Sequence, residues 1–306
     1  MTSTFWMAVV ATFSGATGFA LNLIVIMTRF LKPKAPTAFQ LVVALMAVND
    51  TILSILFAFV AAVMYSDFRW IYPHFACKLL FPAITTIMSV NVGCIFLISY
   101  ERYRAVVHPF KRRLTVKQIW IATFFTWILC VVLSIPNILA LKMQPYGECR
   151  ESWNNTLAPK IYSVCLLLFV YLIPLTAIII MHIRIGLRLR KSTKDIDKLT
   201  QGSFLCIHRK LKRNVKVVRL LVSIVLAFTT LVLPTKIYYL IWDLLPNLVT
   251  ESVSLVLNAY KSFFYIHVIV NPLLYSVTDA EFRRDVIDLF CCKLWKRNDQ
   301  SSGFLN

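Results

Sequence analysis

Seven stretches of this chain are apolar for longer than the helices of a soluble domain require, and no other feature restricts its fold as much. They lie near 5–30, 38–65, 77–106, 116–141, 159–186, 215–242 and 252–276. About 20 mostly apolar residues suffice to cross the hydrocarbon core of a bilayer as a helix. Lipid offers no partner to a backbone N–H or C=O, so runs of this length call for the helix, which satisfies both within the segment. Composition agrees: 58% of the 306 residues are hydrophobic and 15% are charged, where a soluble domain carries about 25% charge. The expected fold is all-α, a seven-transmembrane helix bundle forming one domain over 1–292. The runs around 84–100 and 252–276 contain Asn, Ser, His and Lys, which suits helices lining the interior of a bundle.

The charges give the bundle a direction. Lys and Arg number 3 in segment 29–38, 6 in 101–118, 12 in 184–219 and 5 from 277 onwards. The alternate loops hold only Arg69, Lys78, Lys142, Arg150 and Lys160. Cytoplasmic loops carry such an excess, so the N-terminus is expected outside and the C-terminus inside. The net charge of +19 is then a cytoplasmic face beside anionic lipid, and nucleic acid is not an expected partner. The opening residues lack the basic segment of a cleaved signal, so the first run reads as an uncleaved anchor. Asn154-Asn155-Thr156 is a glycosylation sequon in an outer loop; Asn49-Asp50-Thr51 also matches but lies within a run. Residues 279–290 place Phe282, Val286, Leu289 and Phe290 on one helical face, with Asp279 and Glu281 at the helix start. This predicts a short amphipathic eighth helix on the inner membrane face. Cys291 and Cys292 behind it are palmitoylation candidates, ahead of a short tail over 293–306. The cysteine spacing fits no zinc site.

Single residues then stand at fixed places along the runs. The first has Gly18-x-x-x-Asn22, and the second has Asp50. Trp70 precedes Cys77 by seven residues at the start of the third, which ends in Glu101-Arg102-Tyr103. Trp127 and Pro136 lie in the fourth, Pro174 in the fifth and Pro234 in the sixth, and Asn271-Pro272-x-x-Tyr275 closes the seventh. In this order, over Gly18 to Cys292, the chain resembles the rhodopsin-like (class A) G protein-coupled receptors, in pattern closest to those for peptides or small ligands. The resemblance implies a plasma-membrane receptor that binds an extracellular ligand in its outer half and activates a heterotrimeric G protein at its cytoplasmic face. Arrestin would be a further partner, although the tail offers only Ser301 and Ser302. No enzymatic activity is expected, since no nucleophile, base and orienting acid stand together. A non-signalling decoy or scaffold of the same fold, and less readily a transporter, are the alternatives.

A carboxylate inside a bilayer is costly, so Asp50 must face a polar interior. It is either a structural acid hydrogen-bonded to Asn22 and Asn271 or, as the resemblance implies, part of a sodium and water site with Asn22, Asn91 and Asn271. That sodium ion would be the only cofactor. The resemblance assigns the activation switch to Glu101, Arg102, Tyr103, His182, Asn271, Pro272 and Tyr275. It assigns transmission of motion to Val92, Pro174, Phe228 and Pro234, each of which also reads as ordinary packing. It joins Cys77 to Cys149 by a disulfide. Cys94, Cys130 and Cys165 read as helix packing.

The chain departs from the family at three places. Val232 stands where the sixth helix usually has Trp, and it follows Leu231. His182 stands for a Tyr of the fifth helix. Asn214 stands where many receptors place an acid facing the arginine of the third helix, which predicts raised basal signalling. In the outer half the alignment puts Ile84, Thr85 and Met88 on the pocket face, so the acid that holds amines is missing. Lys236 and Lys261 are the unusual residues, with Tyr239, Asn258 and Tyr265 near them by helical spacing. Either each lysine snorkels outwards or pairs with Asp243 or Glu251, or the two together hold a carboxylate, a phosphate or an acidic peptide end. Arg150 would add a third positive group at the mouth.

Overall fold

The computed structural model describes residues 2–30, 36–196, 201–245, 250–278 and 280–291; in 2–4, 194–196, 201–210, 213, 251–259 and 280–281 it describes the backbone alone. Helices dominate: α1 Thr2–Phe30, α2 Ala38–Tyr65, α3 His74–Val107 and α4 Val116–Ala140. α5 spans 157–196 as Leu157–Cys165, a π-helical stretch Leu166–Leu172 and Ile173–Ile196. α6 is Gln201–Leu244, α7 Glu251–Thr278 and α8 Ala280–Phe290. Six of them, α1 to α6, are long and apolar enough to cross a membrane by length and composition among the described residues. The seventh is more polar and packs between α1, α2 and α6. Large apolar side chains on α4, among them Phe124, Phe125, Leu129, Val132 and Leu139, are exposed, the arrangement expected of a lipid-facing surface.

Several boundaries follow from local chemistry. Thr37 and Thr115 open α2 and α4 as capping boxes with Gln40 and Gln118, each satisfying two backbone donors that the first turn leaves open. α5 and α6 run well past the expected 186 and start well before the expected 215. Their polar, Lys/Arg-rich ends lack the apolar signal of a span but retain good helix formers. The π-helical stretch was not expected either. Pro174 has no N–H and its ring crowds the carbonyl one turn back. The preceding turn widens instead, and the Ile173 N–H donates to Leu168 O, five residues back.

At the end of the bundle remote from the basic segments, β1 Leu141–Met143 pairs antiparallel with β2 Cys149–Glu151. The Cys77–Cys149 disulfide, with Cα atoms 5.7 Å apart, ties this hairpin to α3. Trp70 is buried; its backbone N–H reaches Gly147 O at 2.7 Å and its Nε1 reaches Pro73 O at 3.2 Å. The loop before α3 is thus fastened to the same hairpin.

α1, α2 and α7 meet at unusually short range. A Cβ placed on Gly18 would stand 2.6 Å from Val268 Cγ2 and 2.8 Å from Ser54 Oγ. Gly186 on α5 faces open space. Gly18→Ala is therefore expected to lower the melting temperature of the purified protein, by overpacking worth about 1–3 kcal/mol. Gly186→Ala leaves it level or raises it, since Ala outranks Gly in a helix by about 1 kcal/mol. Equal melting temperatures for the two variants would contradict the close approach at Gly18.

Candidate functional site

The centre of the bundle is a carboxylate without a charged partner among the described residues. Asp50 on α2 is fully buried. Its Oδ1 accepts from Asn91 Nδ2 of α3 at 2.7 Å, and its Oδ2 from Asn271 Nδ2 of α7 at 3.0 Å. Asn91 in turn accepts through Oδ1 from Asn49 Nδ2 at 2.9 Å. Four side chains from three helices thus form one chain of hydrogen bonds. Asn22 is not in it, contrary to the expectation of a direct bond to Asp50. Its amide donates to Gly18 O at 2.9 Å and Val268 O at 2.8 Å, stitching α1 to α7 instead. The unexpected member of the network is Asn49, which reaches Asp50 only through Asn91. Its sequon match drew attention away from its position, one residue before the acid in a buried helix.

The amides, as they stand, present N–H and not oxygen to Asp50, and the oxygen of Asn91 is taken by Asn49. Holding a sodium ion there would fall to the second lone pair that each carboxylate oxygen keeps. An amide offers either its N–H₂ or its oxygen in a given direction, not both.

At the basic end of α3, Glu101 is buried and forms an ion pair with the neighbouring Arg102. The Arg102 guanidinium lies 4.6 Å from the ring centre of Phe39 on α2, a partner the sequence reading missed. Tyr103 Oη accepts from Arg184 Nη1 of α5 at 3.3 Å and lies 3.3 Å from His108 Nε2. His182 and Tyr275 do not meet: His182 Nε2 and Tyr275 Oη are buried without a hydrogen bond among the described residues. Tyr275 packs edge-on against Phe282 of α8, ring centres 6.3 Å apart. Arg29 of α1 lies 5.5 Å over the same ring and 3.7 Å from Asp285. Val92 and Phe228 line an apolar cavity between α3, α5 and α6, together with Tyr171 and Leu233. Pro174 and Pro234 lie in the two helices that flank it. Val232, in place of the larger Trp, is completely buried.

In the outer half Met88 is fully buried, Ile84 and Thr85 are half-buried, and Tyr265 packs edge-on against Phe57 at 4.8 Å. Among the described residues the lysines pair with no acid, and both are half-buried. Lys236 Nζ lies 5.6 Å from the ring centre of Tyr171, and Lys261 Nζ lies 4.4 Å from Tyr238 and 5.5 Å from Tyr239. Asp243, the expected partner, accepts a hydrogen bond from Ser163. The side chains of Glu251 and Asn258 lie outside the described residues, as do Cys292 and the tail 293–306. Arg150 does not serve as a third pocket charge: it pairs with Glu148 at 2.6 Å and remains largely exposed. A lysine at the centre of a membrane helix costs roughly 2.5–3.5 kcal/mol, and a cation–π contact returns about 0.5–2 kcal/mol. Tyr171 escaped the sequence reading because the π-helical turn shifts its face relative to Pro174.

Comparison with known proteins covers most of the chain. The family described as 7 transmembrane receptor (rhodopsin family) matches residues 21–275. The neuropeptide Y receptor type 6 of Mus musculus is 25% identical over 285 residues, 88% of this chain and 76% of that protein. The neuropeptide FF receptor 1 of Rattus norvegicus is 26% identical over 260 residues, 76% of this chain and 59% of its own length. The substance-P receptor of Canis lupus familiaris is 24% identical over 243 residues, 76% of this chain and 58% of its own length. The chain thus spans less than two thirds of the latter two.

Exchanging sodium chloride for choline chloride is expected to leave the melting temperature of the purified wild type unchanged. Asn49→Ala, which releases the oxygen of Asn91, is the variant expected to acquire sodium dependence. A sodium-specific rise in the wild type would show that the ion is held without release of the Asn91 oxygen, by the free lone pairs of Asp50 or by amides turned oxygen-inwards.

Proposed function

This chain belongs to the rhodopsin family of seven-transmembrane receptors, and from that premise we propose that its extracellular ligand is a peptide. It is a multi-pass plasma-membrane protein and a G protein-coupled receptor. The peptide reading is supported by the relatives, whose names make them receptors for neuropeptide Y, neuropeptide FF and substance P. The N-terminus lies outside and the basic end of the bundle in the cytoplasm. The Lys/Arg asymmetry supports this, as does a disulfide at the opposite end, where oxidation is permitted. Asn154, exposed beside an Asn155 that caps α5 through Leu157 N and Ala158 N, is then accessible to glycosylation. Cys291, exposed behind α8, is accessible to acylation.

The observation that carries the coupling mechanism is the buried Glu101–Arg102 pair at the cytoplasmic end of α3. A guanidinium whose contacts there include the neighbouring acid and the Phe39 ring can be released when the inner helix ends part. It would then present a forked donor to the G protein. α6 is the moving part. Pro234 interrupts its hydrogen bonds, and the apolar cavity against α3 and α5 leaves its inner half incompletely packed. Asn214, which carries no charge to hold Arg102, leaves the resting state weakly latched. His182 and Tyr275, both with idle polar atoms, are placed to join the active arrangement.

Two outcomes are expected in a G protein dissociation assay at matched surface levels. Arg102→Ala reduces the signal to background, and Asn214→Glu lowers ligand-independent signalling without loss of expression. Undiminished signalling by Arg102→Ala would refute this coupling mechanism.

A further inference from the structure

Two ammonium groups inside the outer half of the bundle have aromatic rings beside them and, among the described residues, no acid. Lys236 rests against Tyr171 of α5, and Lys261 rests against Tyr238 and Tyr239 of α6. Tyr239 follows Lys236 by three residues, so the helical repeat sets them on the same face. The two cation–ring contacts thus share residues 236–239 of α6, which sends its own Lys236 to Tyr171 of α5 and receives Lys261 of α7 on Tyr238 and Tyr239. Rings return only part of the cost of desolvating a cation.

Acids are available close by but are engaged elsewhere. Glu148 pairs with Arg150. Glu151 accepts from Asn137 Nδ2 at 2.6 Å and from Trp153 Nε1 at 2.8 Å. Asp243 accepts from Ser163. Neutral donors engage the last two, while the lysines stand unneutralised by any acid among the described residues. Such a charge arrangement favours a ligand whose negative group enters deepest, where low dielectric makes the attraction strongest.

Resting on the receptor reading above, we propose that Lys236 and Lys261 form an anion site that takes a carboxylate of the ligand. A peptide can supply it from a free C-terminus or from an acidic side chain. A ligand with a neutral amide in that position would leave both cations unpaired and is discriminated against.

The test measures the melting temperature of the purified full chain with three probes. N-benzoyl-phenylalanine offers an end carboxylate, its amide offers none, and N-acetyl-aspartyl-phenylalaninamide offers a side-chain carboxylate. At least one acid is expected to raise the melting temperature in a saturable way, and whichever does so identifies the source, while the plain amide does not. Lys236→Gln and Lys261→Gln each raise the half-saturating concentration about tenfold or more, the loss of one charged hydrogen bond. The double variant loses the response. Lys→Arg at both positions retains selectivity for the acid, and it keeps the test decisive should a Gln variant fail to fold. An amide that acts like the acids, a double Gln variant that responds like wild type, or no response to either acid would overturn the proposal. Binding is read here without a G protein, so failure of the anion site is separable from failure of coupling, which Arg102→Ala reports on its own.

Discussion

Asp50 is a carboxylate buried away from the surface of the bundle, and much of the bundle is arranged around that fact. A buried carboxylate left with one donor too few costs far more than the same defect at a surface. α3 and α7 must therefore approach α2 closely enough for Asn91 and Asn271 to reach it. Asn49 then fixes which way Asn91 turns. The close contact of α1 with α2 and α7 serves the same end. Gly15 and Gly18 let α1 lie against Ser54 and Val268, and Asn22 fastens it to the α7 backbone.

The two faces of the molecule inherit their character from this centre. Towards the basic end, the segment of α7 that holds Asn271 continues into Tyr275 and onto Phe282 of α8, where Arg29 and Asp285 close the contact with α1. α8 is thus coupled to the helix that carries the central network, not merely laid on the membrane. Towards the disulfide end, the same helix carries Tyr265 against Phe57 and, one turn further out, Lys261. A change in how α7 sits would be felt at both ends, which is the physical requirement for a receptor whose ligand and G protein bind on opposite sides.

Proline and the widened turn before it show how one residue can redirect a site. Pro174 cannot donate, so α5 spends an extra residue per turn over 166–172. The residues beyond are rotated relative to a regular helix, and Tyr171 becomes a buried wall shared by the apolar cavity and by Lys236. Helical spacing from Pro174 does not reveal this, because the shift originates in the π-helical turn itself.

The all-α bundle and the location of its basic end were legible in the sequence because lipid imposes one rule on every residue of a run. Length, apolarity and the Lys/Arg asymmetry need no knowledge of neighbours. The motif residues from Gly18 to Tyr275 were legible as a resemblance, and the disulfide it implied joins Cys77 to Cys149. Pairing was not legible. That Asn22 goes to the α7 backbone and not to Asp50, that Asn49 belongs to the network, that Asp243 goes to Ser163 and Arg150 to Glu148, were decided only in the tertiary structure. A residue advances about 100° around a helix, so spacing gives a side chain its face. Which partner it meets there depends on helix rotation, on a local insertion such as the one before Pro174, and on which end of an amide turns inwards.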